Sequence, residues 1–187
     1  EVTIAKGSTG DKSYVANWVA NTDTKYVVNH WQQNIGAEDE ENATNFTIKD
    51  TENLTGTTAE EVTPAVKDYE GFKAPVVQTV TIKADGSTVV DYYYTRNSYT
   101  ITFNSNGGSD VENITADFGA SVTAPANPTK AGYTFIGWSK PITNITSNLI
   151  VIAQYEIVSA VSDIEAESKH PKKVIEGNQL IIILPDG

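Results

Sequence analysis

The sequence predicts a mainly β chain of the α+β class, built from small modules in tandem with one or two short helices. Three observations predict it. Thr, Val, Ile and Tyr recur in short alternating runs broken by Gly, Asn, Asp and Pro, the pattern of half-buried strands joined by tight turns. The 187 residues set a soft prior of one or two domains. That length suits modules of roughly 60–80 residues, each burying a modest fraction of its surface. An Ala-x-aromatic strand also occurs twice, as Ser13-Tyr14-Val15-Ala16-Asn17-Trp18 and as Val151-Ile152-Ala153-Gln154-Tyr155. Recurrence of this kind marks repeated modules, and a clipped copy cannot bury its own apolar face. The N-terminal copy must therefore pair with something nearby or fray.

Strands are predicted over Ser13–Val19, Tyr26–Trp31, Thr44–Lys49, Val76–Lys83, Thr88–Thr95, Tyr99–Asn104, Tyr133–Trp138, Leu149–Ile157 and Gln179–Leu184. Asp85-Gly86, set between Ile82 and Val89, tolerates the positive φ of a tight turn and predicts a β-hairpin over Val76–Thr95. Along its second arm Tyr93 points opposite to Tyr92 and Tyr94. A short helix is expected over Ala59–Val66, capped by Thr57 or Thr58 and limited by Pro64. A second short turn is expected after Pro125 and Pro128. Gly107-Gly108, Gly132 and Gly137 sit where reversals or close backbone approaches are needed.

Composition excludes several functions. Lys and Arg number 13 against 24 Asp and Glu, a formal net charge of −11. A nucleic-acid binder needs a basic footprint, so nucleic acid is not an expected partner. Docking to an anionic membrane is disfavoured too. With no Cys there is no disulfide scaffold, thiolate metal site or cysteine nucleophile. With no Met the sequence reads as an internal or processed piece, any signal peptide lying outside it. No apolar run approaches the roughly 20 residues of a transmembrane helix. The longest, Leu180–Leu184, suits a paired strand.

Two blocks carry a family resemblance. Tyr99-Thr-Ile-Thr-Phe-Asn-Ser-Asn-Gly-Gly-Ser109 and Pro128-Thr-Lys-Ala-Gly-Tyr-Thr-Phe-Ile-Gly-Trp138, in this order, resemble a Listeria–Bacteroides repeat of the internalin B type across 99–155. Pro141–Asn148 departs from the stretch that usually follows. Lys6–Trp18 resembles the closing strand of the same repeat. Tyr26-Val-Val-Asn-His-Trp31, Asp68-Tyr-Glu-Gly-Phe72 and the Asp85-Gly86 turn are similar to a mucin-binding-protein repeat over 26–96. Val174–Gly187 resembles the start of a C-terminal sorting domain from Bacteroidetes. These resemblances imply β-grasp-like modules of a bacterial surface or secreted protein. The expected domains are 1–25, the closing-strand remnant of a preceding repeat; 26–97, the mucin-binding-like module; 98–158, the Listeria–Bacteroides repeat; and 159–187, a charged linker and sorting-type segment.

No constellation points to catalysis, a cofactor or a metal. Of the two histidines, His30 lies in a strand and His170 in the linker, and no Gly-x-Ser-x-Gly elbow supplies a nucleophile. The acidic run Glu38-Asp39-Glu40-Glu41 reads as a solvated loop. It lacks EF-hand spacing. The Asn-x-Ser/Thr triplets read as ordinary turn and strand composition. Trp18, Tyr133, Phe135 and Trp138 are the expected core anchors. Trp31, Tyr92 and Tyr94 are the aromatics that would stack on a ligand if one binds. The expected role is non-catalytic adhesion or spacing on the bacterial envelope, or outside the cell. A glycan- or host-glycoprotein-binding module and an accessory region of a secreted enzyme are the alternatives. Any partner is a host or matrix glycoprotein or glycan, with weak self-association through an edge strand.

Overall fold

The computed structural model describes residues 3–158, 172–177 and 179–183. These residues form strands, turns and coil, with no helix among them. In chain order the strands are β1 (Thr24–Gln33), β2 (Phe46–Gly56), β3 (Glu61–Val62), β4 (Phe72–Lys73), β5 (Val80–Thr81), β6 (Thr88–Arg96), β7 (Ser98–Asn104), β8 (Ile114–Asp117), β9 (Tyr133–Trp138), β10 (Leu149–Ile157), β11 (Lys172–Glu176) and β12 (Gln179–Ile183). They divide into two compact units, one drawn from 1–99, 116–121 and 144–147, the other from 100–115, 122–143 and 148–187.

In the first unit a four-stranded sheet has the order β2-β1-β6-β4. β1 pairs antiparallel with β2 and parallel with β6. The alternation of β1 sends Thr24, Tyr26, Val28 and His30 to one face, where all are buried. β6 matches it with Thr88, Val90, Tyr92 and Tyr94. The segment from residue 57 to 87 covers this face, contributing Val62, Val66, Tyr69, Phe72, Val80 and Ile82 to the core. Within the cover β3 and β5 pair antiparallel. Each buried aromatic removes roughly 150–250 Å² from water, worth several kcal/mol at about 25 cal/mol per Å² of its apolar part.

A second four-stranded sheet has the order β8-β7-β10-β9. β10 is central, parallel to β7 and antiparallel to β9. Ile101, Phe103, Val151 and Ala153 are buried on one face. Phe103 and Phe135 present their edges to Trp138 with centroids 4.9 and 5.3 Å away. Gly108 lies where a Cβ would run into the Tyr155 hydroxyl and the Thr129 carbonyl, so glycine is required there by space. β11 and β12 form a separate antiparallel pair.

Three expectations are corrected. Neither expected helix forms. Ala59 takes a φ of +68°, which no helix allows, and Glu61–Val62 is a strand instead. No helix crosses either sheet, where a β-grasp module would carry one. The Asp85-Gly86 turn does form, with Gly86 at φ +73° and its N–H bonded to the Lys83 carbonyl. Its arms do not pair as a hairpin, since β5 bonds β3 and β6 bonds β1 and β4. The Tyr92 hydroxyl is the reason. It accepts from the Gln78 N–H and donates to the Pro64 carbonyl, holding the first arm over the face of the sheet. Ser13–Val19 is coil. Most of the expected linker, including His170, lies outside the described residues.

Candidate functional site

The densest cluster of ionisable groups is built on the covered face of the first sheet. β1 places His30 opposite Asp50 of β2 and Val28 opposite Glu52, so both carboxylates point inward from an edge strand. Lys67 and Tyr69 reach the same place from the covering segment. His30 is 0% exposed. Its Nδ1 lies 2.9 Å from the Tyr94 hydroxyl, which itself accepts the Lys67 backbone N–H at 2.8 Å. That hydroxyl therefore has its own proton to give, and gives it to Nδ1. The imidazole proton sits on Nε2, which has no other bond and faces Glu52 Oε1 at 3.4 Å.

Glu52 also takes the Lys67 ammonium at 2.6 Å, and Asp50 lies 3.7 Å from it. The Tyr69 hydroxyl donates to Asp50 Oδ2. Each group is tuned by these neighbours. Burial, with the Lys67 charge, pushes the His30 pKa down. The Tyr69 hydrogen bond lowers Asp50, and the Lys67 hydrogen bond lowers Glu52. Glu52 in turn raises Lys67. Burial raises Tyr69 and Tyr94.

This is a histidine held between a hydroxyl and a carboxylate, an arrangement that sequence reasoning missed. The imidazole is 0% exposed, its hydroxyl partner is a fully buried tyrosine, and its Nε2 approaches Glu52 without a hydrogen bond. Around it the Asp50 and Glu52 carboxylates form a half-buried rim salt-bridged to Lys67. The signal lay in the spacing Asp50-x-Glu52 on a strand predicted to end at Lys49.

The opposite face of this sheet carries a second arrangement. Trp31 stacks on Tyr93 with centroids 5.7 Å apart and planes 19° apart, and Phe46 meets Tyr93 edge-on at 5.1 Å. Asp91 Oδ1 accepts from Trp31 Nε1 at 2.8 Å and from Asn29 Nδ2 at 2.9 Å. The Thr51 hydroxyl donates to Asn29 Oδ1. Of the expected ligand-contact aromatics only Trp31 lies here, half-buried. Tyr92 and Tyr94 are fully buried in the core, their hydroxyls spent on backbone and His30. The residue beside Trp31 is Tyr93.

The four expected core anchors are placed differently from one another. Trp18 is 92% exposed in coil and anchors nothing among the described residues. Tyr133 is 41% exposed, with Lys130 Nζ 4.7 Å from its ring centroid. Phe135 and Trp138 are half-buried against each other. In the acidic loop Asp39 accepts from Gln33 Nε2 at 2.8 Å. No group of His, Asp and Glu among the described residues is arranged to hold a metal ion.

Together these define a chain whose described residues are all-β, with a polar cluster buried in the first sheet. Residues 99–155 match the Listeria–Bacteroides repeat domain. Two proteins of Evansella cellulosilytica are similar to parts of the chain. One, named as a membrane protein, is 34% identical over 92 residues, covering 38% of this chain and 14% of its own length. The other, named as a Gly-rich membrane protein, is 29% identical over 116 residues, covering 58% of this chain and 13% of its own length. The chain thus spans about a seventh of each relative. No helix among the described residues is long and apolar enough to cross a membrane.

Proposed function

We propose that this chain is a non-catalytic spacing and adhesion region of a bacterial cell-surface protein. The observation that carries the reading is shared by both sheets: the first and last strands are parallel neighbours, β1 with β6 and β7 with β10. A module of that design takes the chain in at one end and releases it at the other. Each copy then advances the chain by about one strand, at roughly 3.3 Å per residue. The match of 99–155 to a repeat domain, and the membrane-protein names of the long relatives, support a place on the envelope.

The test places one, two or three copies of residues 24–157 between a surface anchor and a fluorescent reporter and measures reporter height. Equal increments per copy support spacing. A height independent of copy number overturns it. A second reading, binding of a glycan or host glycoprotein, is favoured by the Trp31–Tyr93 stack beside Asp91 and Asn29, the mix of aromatic face and polar groups that sugar rings use. Glycan-array signal lost in Trp31→Ala would support it. A blank array would remove it.

A further inference from the structure

The outer face of the first sheet holds a carboxylate that is fixed in place and lacks a cation. The strand register sets Thr51, Asn29 and Asp91 in one row across β2, β1 and β6, with Ile48, Trp31 and Tyr93 in the next. The donors of the first row point toward Asp91. Thr51 gives its hydroxyl proton to Asn29 Oδ1, and Asn29 Nδ2 donates to Asp91 Oδ1. Trp31 Nε1 reaches the same oxygen from the second row. The Asp91 carbonyl accepts from Gln78 Nε2 at 2.8 Å, so its backbone is held as well. Asp91 Oδ2 makes no hydrogen bond among the described residues, and no Lys or Arg among them forms an ion pair with it. Lys25, on the same face of β1, stands beyond Val27 and opposite Thr55.

A carboxylate held in this way suits a cation. Its partner does not have to order it, and hydrogen bonds to ionised groups are the strong ones. Its surroundings add to the attraction. The Trp31–Tyr93 stack stands beside it, and Ile48 and Val89 leave apolar surface open on the same face. Burial, and then the charges of Asp91 and Glu41, push the Tyr93 hydroxyl up, so both acids lie within electrostatic reach of that ring. Glu41 closes the acidic run 38–41, all of it exposed. We propose that this face docks a basic segment of a partner protein, one arginine or lysine of which bonds Asp91 Oδ2 beside the Trp31–Tyr93 pair. The alkyl stem of that side chain covers the open apolar surface, and the acidic run draws the segment in. A neutral sugar leaves the charge uncompensated, so the observations favour a cation. The inference rests on the adhesive part of the proposed role and names the chemistry of its partner. The reporter-height measurement succeeds or fails independently of it.

The test titrates the full chain with a short peptide of alternating Arg and Thr and follows the indole N–H resonances of its three tryptophans by NMR. Trp31 bonds Asp91 directly, so its resonance is expected to shift as Oδ2 fills, while those of Trp18 and Trp138 stay in place. The same peptide with citrulline for arginine is expected to move none of them. Asp91→Asn keeps an acceptor oxygen for Trp31 and removes the charge. It is expected to weaken peptide binding by about tenfold, the size of one charged hydrogen bond. Glu38→Gln, Glu40→Gln and Glu41→Gln together, which leave the Asp39 bond to Gln33 intact, are expected to weaken it by less than about threefold. A Trp31 resonance that ignores the arginine peptide overturns the proposal, and this titration needs no variant to fold. A loss in the triple variant as large as in Asp91→Asn also overturns it, because the attraction is then general charge. So does a Trp31 shift produced by neutral N-acetylglucosamine oligomers and not by the peptide, which gives the face to a glycan.

Discussion

His30 Nδ1 and the Tyr94 hydroxyl lie 2.9 Å apart across the parallel pair of β1 and β6, both without solvent contact. The tyrosine is the middle of a relay: it accepts from the Lys67 backbone and donates to the imidazole. Removing its oxygen orphans two buried groups at once. Tyr94→Phe is expected to destabilise the first unit by about 2–4 kcal/mol, at roughly 1–3 kcal/mol per unsatisfied buried group less the gain from an apolar ring. Urea denaturation followed by far-UV signal measures it. A midpoint equal to wild type contradicts the relay.

The same relay fixes the pH response. His30 has its folded pKa below the ordinary value of 6.5, so the unfolded chain takes up a proton first. Stability is therefore full above pH 6.5 and falls as pH drops below it, by at most about 1.36 kcal/mol per unit. Asp50 and Glu52, both lowered, add losses as pH falls further through their folded values. At the other end Lys67 and Tyr69, both raised, lose their contribution above about pH 10. The expected profile is a plateau between these limits. In His30→Gln the acid shoulder beginning near pH 6.5 should vanish, while the loss at lower pH remains.

Two tryptophans should respond oppositely. Trp138→Ala removes the ring between Phe103 and Phe135 and is expected to cost about 3 kcal/mol, the low end for aromatic truncation because the site is half-buried. Trp138→Phe should cost far less, since Nε1 has no hydrogen-bond partner to lose. Trp18→Ala should leave the melting temperature unchanged in this chain, because the side chain touches solvent. Calorimetry of the three variants decides.

Gly71 holds a φ of +79° with the Phe118 ring against the place a Cβ would occupy. Gly71→Ala meets both backbone strain and a rigid aromatic, for an expected loss of about 2–4 kcal/mol. A thermal melt within a degree of wild type would show that Phe118 moves aside freely.

β12 presents Leu180, Ile181, Ile182 and Ile183 to solvent. Paired only with β11, it forms a two-stranded sheet that is marginal on its own. Deleting residues 174–187 is expected to reduce self-association. Unchanged sedimentation after the deletion would dispose of that expectation.

The alternation of β1, β6, β7, β9 and β10 was legible because period-two patterns survive without tertiary knowledge. The opposite orientation of Tyr93 from Tyr92 and Tyr94 was legible for the same reason. Which of those faces is buried was not, since three adjacent tyrosines give both faces the same composition. The polar cluster was hidden for a related reason. His30, Glu52 and Lys67 come from β1, β2 and the cover, and only pairing brings them together. The Asp85-Gly86 signal named its turn correctly and its partner strands wrongly, because turn chemistry is local and Tyr92's reach to Pro64 is not. Trp18 was read as an anchor from its repeat context, and among the described residues it packs on nothing.

The side-by-side, same-direction placement of β1 and β6 has a mechanical consequence. Tension applied through the ends of that unit pulls the two strands past each other lengthwise. The seven register positions from Tyr26–Thr88 to Gln32–Tyr94 then share the load together instead of parting one after another. A module so loaded resists rupture far better than a hairpin peeled from its end, a property suited to a tether under flow.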